Sequence, residues 1–409
     1  MNGKGDSPRP VNKKKFDDGY DGARNSLNAV GLFAGIGGFE RGLAAAGHRP
    51  TLLCEIDPAA RAVLDVRFPN VDKHSDILKL KSLPAGTDLL VGGFPCQDLS
   101  QAGQTQGITG RRSGLVREVF RLAQKCRVPW LVLENVPFML QLGGGQALNV
   151  IVNALEALNY HWAYRVVDSR AFGVPQRRQR VFIVASLTHD PRTVLFADET
   201  SLRPDRGRTA RDACGFYWTE GLRGLGWAVD AVPTLKGGST LGVASPPAIW
   251  LPNGDFITPS IQDAERMQGF PADWTKPAEL VSRPGYRWRL VGNAVTVNTV
   301  RWLARRLARP GKPHLIDTQP LGRGKWPPAA FNVGGGRFSN RLSPFPKQIK
   351  SEPLADFLSD EGKLLSRRAT AGFLGRTARA QLRFPPGFLV ALQEHLNRMS
   401  EVQREQRCA

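Results

Sequence analysis

Three residue types, each at the end of an apolar run, can carry covalent chemistry in this chain. Asp88-Leu89-Leu90-Val91 leads into Gly92-Gly93-Phe94-Pro95-Cys96-Gln97, which places Cys96 on a tight loop beyond the run rather than inside it. A thiol in such a place is open to solvent and to dipoles that lower its pKa, although an inert thiol explains Cys96 equally well when it is read alone. Trp130-Leu131-Val132-Leu133 ends in Glu134-Asn135-Val136-Pro137, so a carboxyl group stands at a second strand mouth, where a helix-capping acid would also fit. Gln176-Arg177-Arg178-Gln179-Arg180 immediately precedes the run 181–185, and strand alternation turns Arg178 and Arg180 to the same face. Basic runs usually just face water. Together, however, the three meet a narrower demand. A thiolate adds to an electron-poor ring carbon, a carboxyl group bonds a ring nitrogen, and a guanidinium holds an oxo group while it orients the carboxyl.

A second constellation points to a cofactor. Val30-Gly31-Leu32-Phe33-Ala34-Gly35-Ile36-Gly37-Gly38-Phe39 reads as strand, glycine turn and helix start, where missing side chains let the backbone approach a ligand. It is not a full G-x-G-x-x-G, and alone it is no more than a turn. Glu55 closes the next apolar run about 20 residues on, where an acid can accept hydrogen bonds from both hydroxyls of an adenosine ribose. Glu55-Ile56-Asp57 with this turn suits a stacked adenine and a zwitterionic amino-acid tail better than a pyrophosphate, so S-adenosylmethionine fits better than a nicotinamide dinucleotide. Asp76-Ile77 follows another apolar boundary and can meet the adenine edge; an Asp there is also an ordinary turn residue.

The elements that must position these groups are legible as apolar runs at 29–33, 51–54, 88–91, 130–133 and 181–185, alternating with helical spacing at 39–46, 59–68, 115–126 and 147–158. This alternation predicts an α/β fold with a doubly wound, Rossmann-like sheet, whose ligands gather beyond the carboxyl ends of the strands. Residues 1–27 read as a flexible basic arm and 28–185 as the catalytic and cofactor-binding domain. A smaller irregular domain rich in Gly, Pro, Trp and Arg follows at 186–261. Helical signals at 262–267 and 295–307 return the chain to the first domain through 309. Residues 310–353 then read as a Pro/Gly-rich linker, and 354–409 as a basic helical extension.

The bulk composition narrows the partner. The 409 residues include 56 Lys+Arg against 36 Asp+Glu, a formal charge of +20, which calls for a polyanion because each cation near a phosphate releases counterions. Five scattered cysteines form no C-x-x-C pair, which excludes the usual zinc and redox motifs and fits a reducing cytoplasm. We expect no metal, no membrane span and no signal peptide.

Phe33-Ala34-Gly35-Ile36-Gly37-Gly38, Gly93-Phe94-Pro95-Cys96-Gln97, Glu134-Asn135-Val136, Gln176-Arg177-Arg178-Gln179-Arg180 and Gly292-Asn293-Ala294-Val295 together resemble the ordered motifs of the DNA cytosine-5 methyltransferases, prokaryotic or phage type. The resemblance covers roughly residues 29–307. It implies a cofactor pocket formed by the glycine turn, Glu55, Ile56, Asp76, Ile77, Pro95 and Leu115, completed by Asn293-Ala294-Val295 folding back from far along the chain; the family often has Ser where this chain has Ala294. Its chemistry matches the residues. Carbon 5 of cytosine is a poor nucleophile until a thiolate adds at carbon 6, a carboxyl group bonds nitrogen 3 and an Arg holds the 2-oxo group. The base must leave the duplex to be reached.

The polar loop after Cys96, including Gln97, Ser100 and Gln101, suits a segment that closes over DNA. In the family the 186–261 region is the target-recognition domain, and Thr234-Leu235-Lys236-Gly237-Gly238-Ser239 resembles its Thr-Leu core with a turn suited to phosphates or base edges. For the C-terminal extension a DNA contact and a packing role stand equally open. The expectation is therefore a monomeric, nucleoid-associated enzyme acting on double-stranded DNA, with a cognate restriction endonuclease as a further partner. Its rivals are an RNA cytosine-5 methyltransferase, disfavoured by the size of the irregular domain, and a catalytically silent DNA-binding protein.

Overall fold

Apolar runs buried on both faces build the central sheet of the computed structural model, which describes residues 26–94, 114–200, 207–238, 244–322, 324–359 and 362–408. Asn28–Leu32 (β1), Arg49–Cys54 (β2), Asp72–His74 (β3), Leu89–Gly93 (β4), Trp130–Asn135 (β5) and His161–Asp168 (β6) all point one way. After the short strand Gln176–Arg177 (β7), Gln179–Ser186 (β8) runs antiparallel between β5 and β6, giving the order β6-β8-β5-β4-β1-β2-β3. Chain order reverses between β1 and β4, and the crevice at such a switch point is where doubly wound sheets bind ligands.

Helices cover both faces, as a parallel sheet requires. Gly114–Cys126 and Gln146–Ala157 bury Val119, Leu122, Leu148 and Ile151 against Val30, Leu32 and Leu90. On the other face Gly38–Ala44 and Val297–Ala308 bury Phe39, Leu43, Val300 and Leu303. Gly42 permits their close approach, since a Cβ there would lie 2.6 Å from that of Val300.

A second, five-stranded sheet forms from Cys214–Phe216 (β9), Ala228–Val229 (β10), Ala248–Trp250 (β12), Phe256–Thr258 (β13) and Lys363–Leu364 (β17), in the order β10-β9-β12-β13-β17. Val232–Pro233 (β11) leaves this unit to pair in parallel with β7, so a two-stranded ladder joins the two sheets. Helices Arg367–Thr377 and Phe388–Cys408 close over an aromatic core of Phe216, Trp250, Phe256, Phe373 and Phe388.

Two parts of the expected organisation differ from the structure. Residues 310–353, read as a linker, contribute Gln319–Pro320 (β14), Ala329–Asn332 (β15) and Phe338–Ser339 (β16), which extend the large sheet antiparallel beyond β6. These strands are two to four residues long and flanked by Pro and Gly, too short to show periodicity, yet they cover the otherwise bare edge of β6. Residues 186–200 also stay with the first sheet rather than opening the irregular domain. Arg165, buried in β6, donates to Leu195 O at 3.1 Å and Asp198 O at 2.7 Å and pairs with Glu199, while Asp198 accepts from Trp302 Nε1 at 2.7 Å.

Among the described residues no helix is long and apolar enough to cross a membrane, and no group of His, Cys, Asp and Glu is arranged to hold a metal.

Candidate active site

At the mouth of β5, Arg180 Nε lies 2.8 Å from Glu134 Oε1, with both side chains only 13% exposed. Register explains the meeting: β5 and β8 are antiparallel, so the end of one lies beside the start of the other. On the opposite side Gly93, the last residue of β4, is paired with Glu134, and a Cβ on Gly93 would be 2.9 Å from Glu134 Oε2. Asn135 Nδ2 donates to Phe94 O at 3.1 Å, fastening the chain just before it leaves for Pro95 and Cys96. Pro95, Cys96, Gln97, Ser100 and Gln101 lie outside the described residues. Of the described thiols, burial pushes Cys54 up to about 12 and Cys214 up to about 11, and Cys126, at the end of helix Gly114–Cys126, accepts from Leu83 N at 3.5 Å.

Arg178 does not join this pair. The chain passes from pairing β11 to pairing β6 at Arg178, between β7 and β8, and the Arg178 guanidinium forms no ion pair with Glu134 among the described residues, although the charges of Arg180 and Glu134 both reach it. Arg178 is instead buried among carbonyls, donating to Leu235 O at 3.3 Å, Gly292 O at 3.2 Å and Ala294 O at 2.7 Å. It fastens two segments, at Leu235 and at 292–294, to its own stretch of chain.

Those segments form the joint between the two sheets. Thr234 Oγ1 donates to Arg177 O at 2.9 Å, and Leu235 N donates to Gln176 Oε1 at 3.0 Å. Gly292 must lack a side chain, since a Cβ would lie 2.3 Å from the Lys236 carbonyl carbon and 2.4 Å from Gly237 N. A Cβ on Gly237 would in turn be 2.7 Å from Asn293 Oδ1. The exposed Lys236 ammonium pairs with Glu220 and sits 3.6 Å over the Tyr217 ring, while Gly238 continues the turn and Ser239 lies outside the described residues. Gln268 was missed from sequence. It is buried at the centre of the joint, donating to Val291 O at 2.9 Å and Ala294 O at 3.2 Å and accepting from Thr296 at 2.8 Å. A lone Gln after a short helical signal gives no hint of such a role.

The glycine turn has three consecutive odd-numbered residues in the left-handed region: Phe33 (φ 54°), Gly35 (φ 55°) and Gly37 (φ 83°). Phe33 is strained there, as only a turn held by its surroundings allows. The hold is visible. Glu55 Oε2 accepts from Gly35 N at 2.7 Å, Glu55 Oε1 accepts from Asp57 N at 2.8 Å, and Ile36 O accepts from Trp274 Nε1 at 2.8 Å. Burial raises the Glu55 pKa above the usual carboxylate range, and these backbone donors oppose the shift. Ala34 is buried in the turn. Val295 packs on Gly38, whose Cβ would lie 2.8 Å from Val295 Cγ1, so Asn293-Ala294-Val295 does return to the glycine turn. Beside Glu55, Ile56 is 69% exposed, Asp76 Oδ1 accepts from Leu78 N at 2.9 Å, Ile77 is buried, and Leu115 is half-buried against the core.

A seven-stranded core, parallel but for β8, bearing at its carboxyl rim both a strained glycine turn and a desolvated acid–base pair, has the architecture of the Rossmann-like methyltransferase class. Comparison with known proteins narrows the class. Residues 27–208 match the family described as C-5 cytosine-specific DNA methylase. Over 366 residues the chain is 46% identical to the Type II methyltransferase M2.BsuMI of Bacillus subtilis (strain 168), covering 86% of this chain and 94% of that protein. It is 29% identical over 311 residues to the Type II methyltransferase M.MspI of Moraxella sp, covering 72% and 73%. The chain belongs to the C-5 cytosine-specific DNA methylases, and its activity is that of a DNA (cytosine-5-)-methyltransferase.

Proposed function

We propose that the enzyme methylates carbon 5 of cytosine within a short sequence of double-stranded DNA, using S-adenosylmethionine and a covalent adduct between Cys96 and an extruded base. The observation that carries this reading is the Glu134–Arg180 pair set against the end of β4, two residues before the chain reaches Pro95. The Cys96 thiolate adds to carbon 6 of the base. Glu134 as the acid bonds ring nitrogen 3 and draws electron density toward it, and Arg180 fixes that carboxyl group and neutralises charge at the 2-oxo group. Carbon 5 thereby becomes the nucleophile. Loss of its proton to solvent and expulsion of Cys96 restore the ring.

The residues present fit the cofactor. Space is open above Gly35, where a Cβ would meet no atom of the described residues within 4 Å, and the large apolar side chain of Ile56 stands exposed beside the Glu55 carboxylate. Glu55 would take the ribose hydroxyls, Ile56 and Ile77 would flank the adenine, Asp76 its edge, and the turn 33–38 with 293–295 the amino-acid tail. S-adenosylmethionine supplies an electrophilic sulfonium methyl when bound.

Thr234, Lys236, Gly237 and Gly238, at the joint, are placed to report target contacts to the catalytic corner. The relatives' names, both Type II methyltransferases, support a Type II modification role; a cognate endonuclease, a monomeric state and a place at the nucleoid belong to the same proposal. Incubation with a 5-fluorocytosine duplex and the cofactor is expected to give a denaturation-resistant protein–DNA adduct that Cys96→Ser cannot form. A Cys96→Ser enzyme that methylates DNA at the parental rate, or a preference for transfer RNA over duplex DNA, sinks the proposal.

A further inference from the structure

Helix Val297–Ala308 begins at the glycine turn and ends, about 18 Å away at 1.5 Å per residue, at the opposite rim of the sheet. There His48 Nε2 meets Ala304 O at 2.8 Å, and Ser26 and Gly47, which precede β1 and β2, face the helix across a groove of about 770 Å³. Arg301, Arg305, Arg306, Arg309 and Lys347 line this groove around Trp302, and none of its lining residues is acidic. Two of these cations are compensated from outside it: Asp198 binds Arg306 Nε at 2.7 Å and Lys347 at 2.6 Å. Arg301, Arg305 and Arg309 form no ion pair among the described residues, and Arg305 and Arg309 are exposed. Arg301 and Arg305, four residues apart, share one face and stand about 6 Å apart along the axis, and Arg309 follows as the residue that caps the helix. Arg41, outside the groove and 4.9 Å over the Trp274 ring, lies near Arg301, whose charge adds to burial in lowering the Arg41 pKa.

A small anion would need cations converging on one point. A line of uncompensated guanidinium groups in an open trough instead matches a polymer with regularly spaced charges, and a concave cationic wall concentrates field on such a ligand. We infer that this groove is a second DNA site, which grips the phosphate backbone of a segment other than the one held at the catalytic rim. It serves retention on long DNA rather than chemistry.

The test compares the parent with the triple variant Arg301→Ala/Arg305→Ala/Arg309→Ala on plasmid DNA and on a short duplex that just fills the catalytic cleft, its target motif read by bisulfite sequencing. On plasmid DNA the variant is expected to bind at least tenfold more weakly. Loss of about three phosphate contacts also makes the fall in affinity between about 50 and about 200 mM salt roughly 40-fold smaller. On the short duplex kcat and KM stay at parental values, which also shows that the variant is folded. The corresponding triple Lys variant restores plasmid binding. Unchanged plasmid affinity and salt dependence overturn the inference in favour of an acidic protein partner, and an equal loss on the short duplex overturns it by placing the groove within the catalytic site.

Discussion

Glu40 occupies the least hospitable position for a carboxyl group in the described chain. It is fully buried between the first helix and β1, in space left by Gly31, whose Cβ would lie 1.9 Å from Glu40 Oε1, and neither oxygen has a hydrogen-bond partner among the described residues. Burial raises its pKa from 4.5 to about 7, and the negative charge of Glu55 adds to the shift. The folded chain therefore keeps a proton that the unfolded chain releases above about 4.5. The stability tied to this group is complete below that value and lost as pH rises through about 7, an effect of about 3 kcal/mol at most. Thermal unfolding of Glu40→Gln should accordingly show a flatter decline between pH 5 and 8 than the parent. Identical slopes would mean that Glu40 is already ionised in the fold. The two arginines near Glu134 separate in the same way. Arg180→Ala should cut kcat by about a hundredfold or more with little change in Tm, because it strips an electrostatic partner at the reacting carboxyl group. Arg178→Ala removes three carbonyl contacts from the joint and should lower Tm first. A reversal of these effects would exchange their roles.

Between elements, the C-terminal helices reach the turn at 234–238 through main-chain contacts on the loop at 217–221. Arg376, on helix Arg367–Thr377, donates to Glu220 O and Trp218 O, each at 2.7 Å, and Gly221 lies so close that a Cβ would be 2.9 Å from the Phe373 ring. That loop carries Glu220 and Tyr217, the partners of Lys236, and the Tyr217 hydroxyl donates to Thr234 O at 2.7 Å. Arg376→Ala should raise KM for DNA about tenfold at unchanged kcat, consistent with the loss of a charge-assisted contact of roughly 1.5 kcal/mol. Steady-state kinetics decide this: a fall in kcat alone would disconnect the module from binding. None of this chain of contacts was legible in the sequence, where 354–409 reads only as a basic helical extension. The long helices were legible from their spacing, and β1, β2, β4, β5 and β8 from unbroken apolar runs. β6 was not, although every residue from Trp162 to Asp168 is buried, because Arg165 interrupts the run and is satisfied only by groups distant in sequence. Helix Arg287–Asn293 was hidden for a similar reason: Arg287 is buried in a network with Glu265, Asp273 and Glu279 that no local pattern reveals. At the candidate site, strand ends located Glu134 and Arg180, whereas the direction of Arg178 depended on where a two-residue ladder stops.

For the molecule as a whole, the positive charge is not confined to one cleft. The catalytic rim, the recognition turn and the trough at the far rim each bear cations, and the two rims are separated by the length of a helix. Enzyme bound to long DNA should thus show two salt-sensitive components, of which only the one at the rim of Glu134 is tied to turnover. The second sheet is equally divided in sequence: β9 to β13 come from residues 214–258, but its outer strand and both covering helices come from 363–408. Evolution and engineering face the same constraint as a result. The middle segment cannot be exchanged alone, because the transplant would arrive without its lid, leaving β13 as a raw edge and an aromatic floor open to water; the tail must travel with it.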